Sequence, residues 1–456
     1  MNWDSNRRQV LSGAVAAAAA ASLGGAAFAK ARPYRVGVVG AGWMGKANVF
    51  ALMQVAPVEV VALCDVDRVM LEEARKMIVA FPDSVAPQSR RPEIYRDYRT
   101  MFAKHRFDIV IIGTPDHWHA LPALAAIKAG AHVYLEKPVA LDVVECQALV
   151  AAARAGNRVV QVGTQRRASP PHIEARDRVL REGRLGQIGY VEIFGYSRQR
   201  AKSFPPPSPP PSTLDWDFYC GPAPLVAYNP GIHPLNWRAF REFGNGHIGD
   251  LGVHLIDTCR WMLDLGWPKK ISSAGGVFVN TDSISTQPDT QTAQFEYDNL
   301  LMNWTSRQWG TVPEGPAGGW GAHIYGDKGT LRLGSISYVF EPAPGQGEPL
   351  SGNLDAETGK FPNDKLLPPN FHQLVPLTRP NMRDFIAAIE AGRKPVADIE
   401  EGYISTSSII LANIAMDLGR PVRWDAQQQR VTGDDEAQKR LARPYRAPWV
   451  HPGAAV

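Results

Sequence analysis

The chain has little of what usually fixes a protein's class at a glance. Of its 456 residues four are cysteines, Cys64, Cys146, Cys220 and Cys259, and no two stand in CxxC spacing. That excludes a disulfide-stapled scaffold and a zinc site built on paired cysteines. A chain this long buries a core without staples, so free, mostly buried thiols are expected. Charge is also weak, at +4, with no basic run interleaved with aromatics. Such a balance gives no footing for nucleic acid or for a membrane surface. No internal repeat is visible, which removes solenoids and propellers. No apolar run is long enough for a comfortable transmembrane helix; the Ala-rich stretch near the start is too short and is broken by Gly24-Gly25.

That stretch belongs to a leader over 1–29, with a polar basic start and Ala27-Phe28-Ala29 as a small-x-small cleavage site. Arg7-Arg8 followed by Val10-Leu11 resembles a twin-arginine signal. The expectation is export to the periplasm through the twin-arginine translocation machinery, with no stable membrane span after cleavage. A general secretory signal or an uncleaved anchor is the alternative.

Residues 33–164 alternate short β-branched runs with helical patterns. YRVGVVG, VEVVALCD, FDIVIIG, AHVYLE and RVVQVGT read as strands, each a near-continuous apolar run, with helices at 67–80, 118–129 and 141–155. Strands buried on both faces have this composition, so a parallel α/β sheet is expected. From 165 the pattern changes. GQIGYVEIFGYSRQR, KKISSAGGVFVN, TQTAQFEYDNLLMNWTSRQWG and GTLRLGSISYVFEP look like long strands with two-residue alternation. They point to an α+β domain over 165–420 with a large, mainly antiparallel open sheet. Helices are expected at 249–264, 381–392 and near 401–418. FPPPSPPPSTLDW (204–216) reads as a stiff extended loop, either a spacer or a gate. Residues 341–375 read as a long loop, and 421–456 as a C-terminal arm.

Four motifs carry chemistry. Gly40-Ala41-Gly42-Trp43-Met44-Gly45 is GxGxxG between a strand and a helix. Gly40 permits the turn, Gly42 admits a pyrophosphate and Gly45 lets helix pack on strand, which is a dinucleotide fingerprint. Asp65, at the end of the second strand, stands where a carboxylate accepts from ribose hydroxyls and repels a 2′-phosphate. NAD is therefore favoured, with NADP kept open by Arg68. Thr114, Pro115, Asp116, His117 and His119 follow another strand and read as the nicotinamide side of the cleft; a metal site would need a third convergent ligand, and none is assigned. Glu136-Lys137-Pro138 closes the next strand and aims Lys137 at a substrate oxygen. Asp250 and His254, four apart on the expected helix, share a face, so Asp250 can orient His254 as a base. The alternative is a capping Asp250 and a satisfied core histidine.

GVVGAGWMG, CDVD, TPDHWHA, EKP and DxGxHxxD, in this order, resemble the glucose–fructose oxidoreductase, inositol dehydrogenase and MocA (Gfo/Idh/MocA) family. The resemblance implies a Rossmann domain followed by an α+β domain whose open sheet often mediates oligomers, here a dimer or tetramer. It implies that Lys137, Asp250 and His254 act with a bound NAD(P) on a sugar or polyol, and that the Lys137–Pro138 bond is cis. Trp237-Arg238 looks like the family's pair beside the cofactor, and Gln165 and Arg166 look like further cleft residues. Gly-Asn-Gly followed by His247 departs from the usual glycine run, which places His247 near the substrate. The ending RPYRAPW resembles an arm that packs back on the protein.

The function expected is therefore an NAD(P)-dependent oxidoreductase acting on a carbohydrate or polyol hydroxyl. An exported chain has no NAD pool outside, so the cofactor is expected to be tightly bound. Two other functions fit parts of the pattern: a redox-neutral NAD-dependent glycosidase acting through a transient keto-sugar, and a non-catalytic nucleotide or sugar sensor.

Overall fold

The computed structural model describes residues 32–196, 204–312 and 318–455. The leader, with Arg7, Arg8 and the cleavage site, lies outside the described residues, as does the end of the GQIGYVEIFGYSRQR run.

The first sheet is built from β1 (Tyr34–Val39), β2 (Val58–Cys64), β3 (Glu93–Tyr95), β4 (Ile109–Ile112), β5 (His132–Leu135) and β6 (Val160–Val162). All pairings are parallel and the order is β3-β2-β1-β4-β5-β6. Every residue of β4 and β6 is buried, as strands covered by helices on both faces require. The order reverses between β1 and β4. A crevice opens there at the carboxyl ends of the strands, where such sheets bind ligands.

The second sheet comprises β7 (Ile188–Tyr196), β8 (Lys270–Gly276), β9 (Thr290–Glu296), β10 (Leu301–Arg307), β11 (Trp320–Gly326), β12 (Gly329–Leu333), β13 (Ser337–Pro342), β14 (Leu350–Asn353), β15 (Val422–Asp425) and β16 (Arg430–Val431). Its order is β14-β13-β12-β11-β7-β10-β9-β8-β15-β16, antiparallel apart from the parallel β7–β10 pair. Burial along β10 alternates strictly, so one face meets the core and the other is half-open. The helices Val253–Met262 and Ile399–Leu418 cover the inner face through Leu255, Ile256, Ile409 and Ile410. The α/β class read from the sequence is thus the observed one.

Several elements differ from the sequence reading. Residues 341–375 are not a bare loop; they hold β14, a short helix Asp355–Thr358 and two 3₁₀ turns. The helix expected at 381–392 starts earlier and runs Leu374–Ala391 with Pro380 inside it. Proline there removes one backbone donor, but burial of Val375, Met382, Phe385 and Ile386 against β1 and its neighbouring helix outweighs that loss. The same helix therefore packs into the core of the first sheet, although in sequence it lies between elements of the second domain. The helix expected at 249–264 opens as a wider π-type turn, Ile248–Gly252, before Val253–Met262. All four cysteines are free and buried. Residues 204–213 of the proline-rich run form neither helix nor strand and are largely exposed. The run is tacked down by Phe204 against Phe240 and by Asn229 donating to the Pro205 carbonyl at 2.7 Å.

Candidate active site

The first turn of the cleft follows from three glycines. Gly40 has φ of +87°, a conformation side chains resist, and a Cβ on Gly45 would lie 1.9 Å from the Gly40 carbonyl. A Cβ on Gly42 would meet nothing within 4 Å. The first two glycines make the turn; Gly42 borders open space at the N-terminus of the helix Trp43–Met53. Backbone N–H groups and the positive end of a helix there suit a pyrophosphate. Asp65 directly follows β2 and accepts from Ala41 N–H at 2.7 Å and Asp67 N–H at 2.9 Å. Burial pushes its pKa up, against the pull of those two donors.

A cleft of about 300 Å³ runs from this turn to the end of β5. Of the expected cofactor residues, Gly40, Gly42, Trp43, Met44, Asp65, Thr114, Pro115, Glu136, Lys137, Trp237 and Arg238 line it. Two distant segments roof it. One brings His233, Leu235 and Trp237, the other Asn370 and Phe371. The chain that leads to the first is joined to the turn after β2 by backbone bonds Arg68 N–H to Thr213 O and Asp215 N–H to Val66 O, at 3.0 and 3.1 Å. The second is held by Trp43 Nε1 donating to Asn370 O at 3.3 Å.

At the far end Lys137 Nζ donates to the Asp250 carbonyl at 2.8 Å and to Asp250 Oδ1 at 3.1 Å. Arg238 Nε donates to the same Oδ1 at 3.0 Å and its guanidinium lies 4.1 Å from the Trp237 ring. The Lys137–Pro138 bond is cis, as the resemblance implies. Glu136 is buried, accepts from Asn48 Nδ2 at 2.8 Å, and is pushed up by burial. Asp116 also lines the cleft. Burial lifts its pKa to about 7, against the pull of Lys137 and Arg238 and with the repulsion of Asp250. The sequence places its loop on the nicotinamide side of the cleft; its grouping with Lys137, Arg238 and Asp250 is set by the fold.

His254 faces the same charges from the helix Val253–Met262. Burial, then Lys137 and Arg166, hold its pKa well below the ordinary value, so it is neutral at pH 7. Its Nδ1 has no hydrogen-bond partner and its ring centre lies 5.6 Å from that of Trp320. The spacing argument had Asp250 orient this ring. Oδ1 of Asp250 accepts from both Lys137 and Arg238, and the Asp250 charge pulls the His254 pKa up against the larger lowering causes.

Other expected residues sit behind the wall. His117 is buried with Nε2 2.8 Å from the Tyr219 carbonyl. His119 lies between the carbonyls of Pro138 (2.6 Å from Nδ1) and Thr114 (3.0 Å from Nε2), and the neutral ring donates its one N–H to one of them. Burial lowers both histidines to about 4. Gln165 is buried against Tyr134. His247 is buried with its ring 6.1 Å from Trp304. Arg166 stacks on Trp320 at 4.5 Å. Asp67 and His233, missed in the sequence, pair at 2.9 Å beside the roof. No local pattern links residues so far apart.

A parallel sheet with a glycine turn at its switch point, an acidic residue closing β2 and a second domain roofing the crevice define a dinucleotide-binding two-domain protein. Residues 34–164 match the oxidoreductase family model for an NAD-binding Rossmann fold, and 210–423 match the same family's C-terminal alpha/beta domain. The chain belongs to the Gfo/Idh/MocA oxidoreductase family. It is similar to the levoglucosan dehydrogenase of Pseudarthrobacter phenanthrenivorans, 29% identical over 235 residues, half of each chain. It is also similar to a glycosyl hydrolase family 109 protein of Shewanella baltica, 35% identical over 121 residues, a quarter of each. The chain thus spans half or less of these relatives' lengths. Its fold is that of the Azotobacter vinelandii inositol dehydrogenase homolog solved with NADH and myo-inositol. That likeness has a TM-score of 0.63 at 21% identity, over 86% of this chain and 98% of the other.

Proposed function

We propose that this protein moves hydride between a hydroxyl of a sugar or polyol and a nicotinamide dinucleotide held in the cleft. One observation carries the reading: Lys137, lining the dinucleotide cleft, meets Asp250 on the helix that presents His254. The residues fit the cofactor, since the Gly42 cradle is open and the helix N-terminus faces it.

Gly40, Gly42, Trp43, Met44 and Gly45 would hold the pyrophosphate, Asp65 a ribose, and Thr114, Pro115, Glu136, Trp237 and Arg238 the remainder. The carboxylate of Asp65 favours NAD over NADP. When bound, the nicotinamide supplies hydride exchange with the carbinol carbon. Lys137 donates to the substrate oxygen and stabilises negative charge as it develops. Asp250 keeps that ammonium in place. His254, neutral and with an unpartnered Nδ1, takes the hydroxyl proton. The roof over the cleft supports tight retention, which suits export through the twin-arginine route with the cofactor already loaded. The half-open sheet face, where Tyr190 stacks on Tyr325 at 5.8 Å, suits a homo-oligomer.

The test is mass spectrometry of protein from its native compartment, followed by a sugar and polyol panel read by the absorbance of bound NADH. Copurifying NAD(H) that is reduced by a polyol supports the reading; an empty protein that binds NAD weakly overturns it. The similarity to a glycosyl hydrolase family 109 protein favours a second reading, glycoside cleavage through a transient keto-sugar. Release of the aryl group from aryl glycosides without net NADH separates the two.

A further inference from the structure

Arg166 sits on the turn after β6, at the carboxyl end of the first sheet. It is 2% exposed, and burial lowers its pKa to about 9, which leaves it charged at pH 7. Its Nη2 donates to Ser335 Oγ at 3.0 Å, yet Nε and Nη1 have no partner. The nearest carboxylate in its field, Asp257, is already taken by Arg167 at 2.8 and 2.9 Å and by Ser405 at 2.8 Å. A buried guanidinium with unpaired N–H groups is unfavourable unless something completes it.

The surroundings say where that partner comes from. Trp320 lies under the guanidinium, and the ring of His254 lies against the same indole. His254 is within the electrostatic reach of both Arg166 and Lys137. Behind the cleft, Lys137, His254, Trp320 and Arg166 thus follow one another in space, with unpartnered nitrogens on His254 and Arg166. The other cations nearby each have a carboxylate partner: Lys137 and Arg238 share Asp250, and Arg167 pairs with Asp257.

We infer that the substrate is a sugar acid, whose carboxylate is received by Arg166 while Lys137 and His254 act on a hydroxyl of the same molecule. This rests on the oxidoreductase reading above. Arg166 hydrogen-bonds only Ser335 and no carboxylate, and one guanidinium is met by one negative charge. A phosphate would bring nearly two, close to Asp250 and Asp116. Guanidinium also pairs with a carboxylate in a planar fork, and Trp320 offers a flat floor between the two ends of a sugar ring.

The experiment uses the full chain loaded with NAD. Glucuronate, galacturonate and gluconate are compared with glucose, galactose and glucitol, by calorimetric binding and by reduction of bound NAD. The acids are expected to bind roughly tenfold or more tightly than the neutral partners, the scale of a charged hydrogen bond. Arg166→Met, matched in volume, is expected to erase that preference while nucleotide binding, read by tryptophan quenching, stays intact. Arg166→Lys is expected to keep part of it. Equal binding of acids and neutral sugars by the wild type overturns the inference, whatever the variants do. Acids that bind through Arg166 without reducing NAD support the carboxylate site and overturn the oxidoreductase reading. Neutral polyols that alone reduce NAD do the reverse.

Discussion

Lys137 reaches Asp250 twice, at the main-chain carbonyl and at one carboxylate oxygen, 2.8 and 3.1 Å away. The two residues are 113 positions apart, and the contact pins the loop after β5 to the start of the helix carrying His254. Both side chains are about a tenth exposed, so the pair is poorly screened. Lys137→Ala should lower the rate of polyol oxidation by about 10²–10⁴ while nucleotide binding survives. Asp250→Ala leaves two cations facing each other and should also destabilise the fold by about 3 kcal/mol. Steady-state kinetics and thermal unfolding read the two effects. A Lys137→Ala protein of near wild-type rate would remove Lys137 from the mechanism.

The glycine turn allows a cleaner separation of folding from binding. A methyl at Gly42 meets nothing, so Gly42→Ala should change stability by no more than about 0.5 kcal/mol. It should nevertheless weaken nucleotide binding sharply, because the methyl takes up the pyrophosphate's space. Gly45→Ala collides with the Gly40 carbonyl and should lose both. Titration with NAD beside a melting curve distinguishes the two variants.

Asp116 should leave a mark on stability against pH. Its folded pKa is about 7, raised mainly by burial above an ordinary value of 3.8. Between those two values the unfolded chain gives up a proton that the folded chain keeps. Stability attributable to this group is therefore full below about pH 4 and falls as pH rises toward 7. Asp116→Asn should flatten that part of the profile, as measured by urea unfolding across the range.

The C-terminal arm is latched by two buried acids on and before the helix Val143–Ala155. His451 lies 2.9 Å from Asp142, which also accepts Arg443 N–H at 2.9 Å, and the Tyr445 hydroxyl donates to Glu145. Burial depresses His451, but Asp142 and Glu145 more than offset this and its pKa is raised. Glu145 is raised as well, by burial first and then by Asp142. Both shifts have the same sign: each group holds more protons folded than unfolded. The latch should be tightest in mildly acidic solution and loosen as pH climbs through neutrality. Hydrogen exchange of 443–452 should speed up with pH beyond its intrinsic rise, and His451→Gln should remove part of that change.

What the sequence alone determined is local. The near-continuous apolar strands, the alternation beyond 165 and the GxGxxG turn each follow from a few adjacent residues, whose backbone needs do not depend on distant partners. Trp237 and Arg238 reached the cleft as the family resemblance implied. Tertiary structure alone decided which polar groups work and which hold the fold. His117 and His119 look like site residues in the chain; the fold sets His117 Nε2 against the Tyr219 carbonyl and His119 between those of Pro138 and Thr114. Asp116 becomes one of the cleft's acids because Lys137, Arg238 and Asp250 gather around it. Arg379 is fully buried on Glu357 and Asp364, so a helix late in the chain completes the first domain. Hydrogen-bond partnership and desolvation depend on what is near in space. A one-dimensional pattern carries the strand or helix that brings a residue to the site, and the fold sets the charge it meets there.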